Sequence, residues 1–136
     1  MKTMKLTKRV TAVCAAIVMS VSTLSFGASA ATKTYNGSFD GYQTTAKVTC
    51  ASNYGSAYTH INAPSSTTIS ATITYYYYDN DGNVKSSYKS AGDHGPSTWT
   101  TTVTLPSNGK KSKSSSSSHY VERDGSGWSK SLSVNY

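Results

Sequence analysis

Residues 67–84 read TTISATITYYYYDNDGNV, and this stretch decides the fold. Ile69, Ala71 and Ile73 alternate with Ser70, Thr72 and Thr74, the period-two pattern of a strand with one apolar and one wet face. β-Branched and aromatic residues fill it, as suits a pleated, half-buried surface. Continuing the alternation sends Tyr75 and Tyr77 to the apolar face and Tyr76 and Tyr78 to solvent. Asp79-Asn80-Asp81-Gly82 follows with turn chemistry, because Asp and Asn bond nearby backbone and glycine takes positive φ without steric cost. The segment predicts a strand over 67–78 that enters a hairpin.

The same grammar extends along the chain. Asp40-Gly41, Pro106-Ser107-Asn108-Gly109 and Asp124-Gly125-Ser126-Gly127 are further turn signals, with looser breaks at Asn62-Ala63-Pro64 and from Gly92 to Pro96. Between them lie strands expected at 33–39, 42–51, 56–62, 67–78, 83–90, 97–105, 111–121 and 128–135. Ala46, Val48 and Cys50 share one face; so do Trp99, Val103 and Leu105, and so do Trp128, Leu132 and Val134. Hydroxyls hold the opposite faces: Thr98, Thr100, Thr102 and Thr104 on one strand, Ser129, Ser131 and Ser133 on another. The expected fold is all-β: an antiparallel β-sandwich, or a small barrel, of about eight strands joined by Asp-Gly and Asn-Gly hairpins. Ser114–Ser118 reads either as a flexible linker or as a strand of small side chains. The strand is favoured because His119-Tyr120-Val121 leads straight into a turn.

Residues 1–30 read as a secretory signal peptide. Lys2, Lys5, Lys8 and Arg9 precede an apolar stretch from Val10 to Leu24, and Ala28-Ser29-Ala30 gives the small-residue cleavage pattern. The stretch is too short and too interrupted by Ser and Thr for a membrane-spanning helix. Residues 31–136 then form a single domain, expected to be extracellular or associated with the cell wall. Loss of the leader removes four of the 13 basic residues and none of the 6 acidic ones, leaving a net charge of +3. That bias suits an anionic envelope surface and lacks the concentrated basic stripe of a nucleic-acid partner. Cys14 leaves with the leader, so Cys50 has no intramolecular disulfide partner and reads as a small buried hydrophobe.

Catalytic and metal chemistry find little support. The carboxylates Asp40, Asp79, Asp81, Asp93, Glu122 and Asp124 sit mostly in turns, where backbone reasons explain them. The calcium-loop pattern begun at Asp79 fails, because its sixth position is Val84 and its twelfth is Ser90. His60, His94 and His119 occupy three segments with no metal-ligand spacing. Asp93-His94 lacks a Gly-x-Ser-x-Gly elbow to supply a nucleophile. The expectation is a protein without enzymatic activity, cofactor or metal; a hydrolase with an unrecognised site is the third choice.

Binding chemistry is more visible. Tyr76 and Tyr78 are expected on an outward sheet face, and Tyr58 and His60 fall opposite the Ala57/Ile61 face. Outward tyrosines are rigid amphipathic contact groups. Lys110, Lys111 and Lys113 would add attraction to anionic polymers. The expected function is non-enzymatic binding at or outside the cell envelope, with cell-wall glycan, a wall precursor or another surface protein as partner. Thr rows at a spacing of about 6.6 Å also suit an ice-binding sheet, but β propensity and solubility are the preferred explanation.

SATITYYYYDNDGNV (70–84), YKSAGDHGPSTWTTTVTL (88–105) and SSSSSHYV (114–121) together resemble the order of segments in the lactococcin-like β-sandwich bacteriocins. The resemblance covers about half of the chain. It implies a β-sandwich and, as the alternative function, a secreted toxin that binds a cell-wall precursor. The chain departs from that family by continuing past Val121 into a hairpin with Trp128 and by lacking a paired-aromatic ending. No site residue is carried over from it. The chain is also similar to short Tyr/Ser-rich exported proteins of Gram-positive bacteria, which implies export and fold only.

Overall fold

The computed structural model describes residues 30–98, 100 and 103–136. Eight strands follow in order: β1 (Ala31–Phe39), β2 (Tyr42–Cys50), β3 (Tyr54–Ile61), β4 (Thr67–Tyr78), β5 (Val84–Gly95), β6 (Val103–Pro106), β7 (Lys111–Arg123) and β8 (Ser126–Asn135). They form two antiparallel four-stranded sheets, sheet A in the order β1-β2-β3-β6 and sheet B in the order β5-β4-β7-β8. β1 and β2 lie over β8, β3 lies over β4 and β7, and β6 lies over β5. Positions 1–29 of the expected leader, and the expected placements of Trp99 and Thr102, fall outside the described residues.

Alternating apolar positions meet between the sheets. Ala57 of β3 packs on Ala71 and Ile73 of β4. Ile61 meets Ile69 and Val121, roofed by Phe39, Tyr42 and Trp128. Ala46 and Val48 of β2 pack on Leu132 of β8. Each buried Val, Leu or Ile contributes about 1.5–3 kcal/mol, and small residues leave space that Tyr75, wholly buried, fills. Its ring crosses to Gly55 of β3, where a Cβ would stand 2.7 Å from Tyr75 Cδ2 and 2.7 Å from Ser115 Oγ.

The turns follow their residues. Asp40-Gly41 and Asp124-Gly125 have positive φ throughout and close two-residue hairpins. Arg123 joins these two turns: it pairs with Asp40 and Asp124, bonds Ser65 Oγ and lies 4.8 Å over the Tyr42 ring. At the opposite end, Asp79 Oδ1 accepts the backbone N–H groups of Asp81 and Asn83. These bonds hold the Asp79 carboxyl below its usual range.

Four expectations need correction. Asn108-Gly109 turns the chain with positive φ, yet it connects β6 in sheet A to β7 in sheet B and is no hairpin. Of the expected strand at 97–105, the described residues form strand from Val103 onward, with Ser97, Thr98 and Thr100 outside it. Thr98 and Thr100, expected on a wet face, are buried. Thr100 Oγ1 accepts the Thr59 N–H at 2.8 Å and reaches the Thr59 carbonyl at 3.2 Å. Backbone bonds continue beside it, from the Thr100 N–H to the Thr59 carbonyl at 2.8 Å and from the Ile61 N–H to the Thr98 carbonyl at 3.0 Å, so the side chain supplements the backbone pairing. Lastly, β5 continues through the expected break at Gly92 to Gly95.

Ser114–Ser118 belongs to β7, an interior strand of sheet B. β5 is one of the sheet's two outer strands and is exposed at most of its residues, because β6 covers only a short part of it. Lys85 and Lys89 stand on its inner-facing register, opposite Tyr77 and Ile73. Inward-directed charges of this kind blunt an edge against strand addition.

Candidate functional site

Cross-strand register places the outer face of sheet B row by row. Tyr88, Thr74, Ser116 and Ser133 lie in one row across β5, β4, β7 and β8; Ser90, Thr72, Ser118 and Ser131 form the next. Rows of short hydroxyl side chains leave a depression where longer ones would fill it. The result is a groove of about 370 Å³ floored by Thr72, Thr74, Ser116, Ser118, Ser131 and Ser133. Lys33, from the edge of sheet A, also lines it.

Tyrosines border this floor. Tyr76 occupies the row beyond Thr74, Tyr120 the row beyond Ser118, and Tyr88 stands directly opposite Thr74. Three rows separate Tyr76 from Tyr120, about 20 Å along the strands. Tyr88 is 67% exposed and Tyr120 40% exposed, so both rings are offered to solvent. Tyr120 donates its hydroxyl to Glu122 Oε2 at 3.0 Å, which raises its pKa.

Past Tyr76 the ladder slips. Tyr76 faces Ser114 and Tyr77 faces Ser112, leaving Lys113 as the extra residue of a β-bulge. Bulges re-aim side chains, and Lys113 sets its ammonium 5.9 Å above the Tyr78 ring. Lys111 pairs with Tyr78 across the strands and is exposed. Lys110 Nζ donates to Asn80 Oδ1 at 2.5 Å. One end of sheet B therefore gathers Tyr76, Tyr78, Lys110, Lys111 and Lys113.

The alternation expected of the four tyrosines is the one observed. Tyr75 is fully buried, with its hydroxyl 2.5 Å from Ser112 Oγ, and Tyr77 stacks on it at 5.9 Å. Tyr76 and Tyr78 take the other face and are partly exposed. Tyr58 and His60, by contrast, do not join them. They stack on each other, ring centroids 6.3 Å apart, on the outer face of sheet A. The two sheets pack through their other faces, so this pair points away from the groove. Tyr88 and Tyr120 were not foreseen from the sequence; Thr72, Thr74, Ser131 and Ser133 were expected on wet faces, but their meeting in one groove was not. The hairpin register offered a signal for Tyr88: a turn over 79–83 that pairs Tyr78 with Val84 necessarily pairs Thr74 with Tyr88.

The three histidines do not meet. His119 is buried between the sheets: Nδ1 lies 2.8 Å from Thr59 Oγ1 and Nε2 lies 2.7 Å from Ser117 Oγ. Thr59 donates its hydroxyl to the Ser70 carbonyl, so Nδ1 carries the proton and Nε2 accepts from Ser117. Burial pushes the His119 pKa down to about 4. His94 is exposed at the end of β5 and bonds Ser66 at 2.6 Å and Thr68 at 2.9 Å. Asp93 accepts the His94 backbone N–H and does not orient its ring. Among the described residues no group of three His, Cys, Asp or Glu side chains could hold a metal ion.

Cys50 is buried and free, and burial raises its thiol pKa, tempered by the Ser115 hydroxyl turned towards it. Ser115 Oγ has no other polar partner among the described residues. No helix of the described residues is long and apolar enough to cross a membrane. The chain matches no known family model and no curated protein.

Proposed function

We propose that the chain is an exported β-sandwich protein that binds a component of the cell envelope without chemically transforming it. The observation that carries this reading is the hydroxyl-floored groove on the outer face of sheet B, with Tyr76, Tyr88 and Tyr120 at the adjoining register positions of the same face. Its floor is rigid, because Ser116 and Ser118 belong to an interior strand. Its borders are tyrosines, which give large contact area at low entropic cost. Lys110, Lys111 and Lys113 gather at the Tyr78 end of the sheet and draw anionic envelope polymers towards the face.

Isolated cell-wall material provides the test. The purified protein is expected to sediment with it and to be released unchanged, with no new reducing ends or peptides in the supernatant. A protein that stays in solution, or one that degrades the wall, would falsify the reading.

A further inference from the structure

We infer that the groove takes an extended glycan carrying acidic groups, an assignment that rests on the binding role proposed for this face. The groove crosses the strands rather than following them. Lys33 lines it at the β8 side, and Tyr88 of β5 stands one strand beyond its β4 side, directly opposite Thr74. Three strand spacings separate β8 from β5, about 14 Å. The site is therefore a line: a cation, two rows of hydroxyls, and an exposed aromatic ring.

Other ligand classes fit this line poorly. An apolar small molecule would strip water from the floor hydroxyls and return no hydrogen bonds. A folded protein partner anchors on buried aromatic or arginine hot spots in a desolvated pocket, whereas this floor is polar and shallow. A nucleic acid needs a run of cations along its phosphates, and the groove holds one lysine. A polyhydroxylated chain matches each feature. Its hydroxyls exchange hydrogen bonds with Thr72, Thr74, Ser116, Ser118, Ser131 and Ser133, each both donor and acceptor. A sugar face packs on the Tyr88 ring, and an acidic substituent pairs with Lys33. Carboxylate and phosphate satisfy Lys33 equally, so the shared chemistry is a singly placed anion on a glycan backbone.

The experiment titrates the purified protein with linear oligogalacturonides, their carboxyl-reduced neutral counterparts, phosphomannan oligosaccharides and sugar-free linear polyphosphate. At least one acidic glycan is expected to bind on the order of tenfold tighter than the neutral one, the difference made by one charge-assisted bond; whichever acid wins names the anion. Polyphosphate is expected not to compete. Lys33→Ala should remove the tenfold advantage and leave neutral binding intact. Ser118→Tyr, placed on the exposed floor, should abolish binding of every glycan with the thermal midpoint unchanged. Equal binding of acidic and reduced glycans, competition by polyphosphate, or wild-type affinity in Lys33→Ala would overturn the assignment. If wall material is retained but no glycan binds, the glycan assignment fails alone. If wall material is not retained, the underlying binding role is what fails.

Discussion

The two sides of sheet B use the same residue types for opposite ends. On the inner side of β7, Ser115, Ser117 and His119 are buried; on the outer side, Ser116 and Ser118 meet solvent at the groove. Along β4, Tyr75 fills the core while Tyr76 borders the groove. A serine beside a histidine in the core must satisfy a fixed hydrogen bond. A serine one position away meets water until a ligand arrives. Side chain identity thus says little here, and strand parity says nearly everything.

Changes to neighbouring residues should therefore have very different effects. The largest contrast is within the tyrosine run. Tyr75→Ala removes the largest fully buried side chain and its bond to Ser112, and should cost about 4 kcal/mol, much of the stability of a small domain. Tyr76→Ala should cost about 1 kcal/mol while weakening retention on wall material. Urea unfolding of the two variants decides; equal losses would mean that alternation does not divide core from surface here.

Acid comes next and probes the inner side alone. The unfolded chain protonates His119 near 6.5, while the folded chain resists until about 4. Protonation therefore favours unfolding. Stability should be flat above pH 6.5 and fall by about 3 kcal/mol as pH drops from 6.5 towards 4. The Asp79 carboxyl, held below its usual range, contributes only at lower pH still. In His119→Gln the fall over this window should vanish; a slope that persists would assign it to other groups.

A smaller effect is expected at Gly55, where an added Cβ meets Tyr75 and Ser115 at 2.7 Å. Gly55→Ala should cost about 2 kcal/mol through overpacking, and thermal unfolding reads it directly. The least effect on stability belongs to Ser116→Ala on the outer side, within about 0.5 kcal/mol of wild type. A loss comparable to that of Gly55→Ala would show that the groove floor is structural.

Local pattern carried most of the fold. The alternation at Ile69, Ala71 and Ile73 placed all four following tyrosines, and Asp40-Gly41 and Asp124-Gly125 marked two hairpins, because these signals act over a few residues. What failed was non-local. Thr98 and Thr100 look like a wet strand face, but both are buried, the Thr98 hydroxyl donating to the Gly95 carbonyl and the Thr100 hydroxyl bonding the backbone of Thr59. Nothing local tells Asn108-Gly109 that the chain leaves one sheet for the other. For the site, the sequence named Tyr76, Tyr78 and the three lysines separately; their meeting at one end of sheet B depends on a bulge at Lys113 that no sequence pattern announced. Tyr58 and His60 were right as outward residues and misplaced as partners, since parity gives the face of a strand but not the sheet it joins.

The central claim is that the outer face of sheet B, and not that of sheet A, binds the envelope. Two purified variants test it on the same wall material: Tyr76→Ala with Tyr88→Ala on sheet B, and Tyr58→Ala with His60→Ala on sheet A. The account predicts that the sheet B pair loses retention at least tenfold, from two lost aromatic contacts of about 1 kcal/mol each, while the sheet A pair binds as wild type. Retention kept by the sheet B pair and lost by the sheet A pair would contradict it.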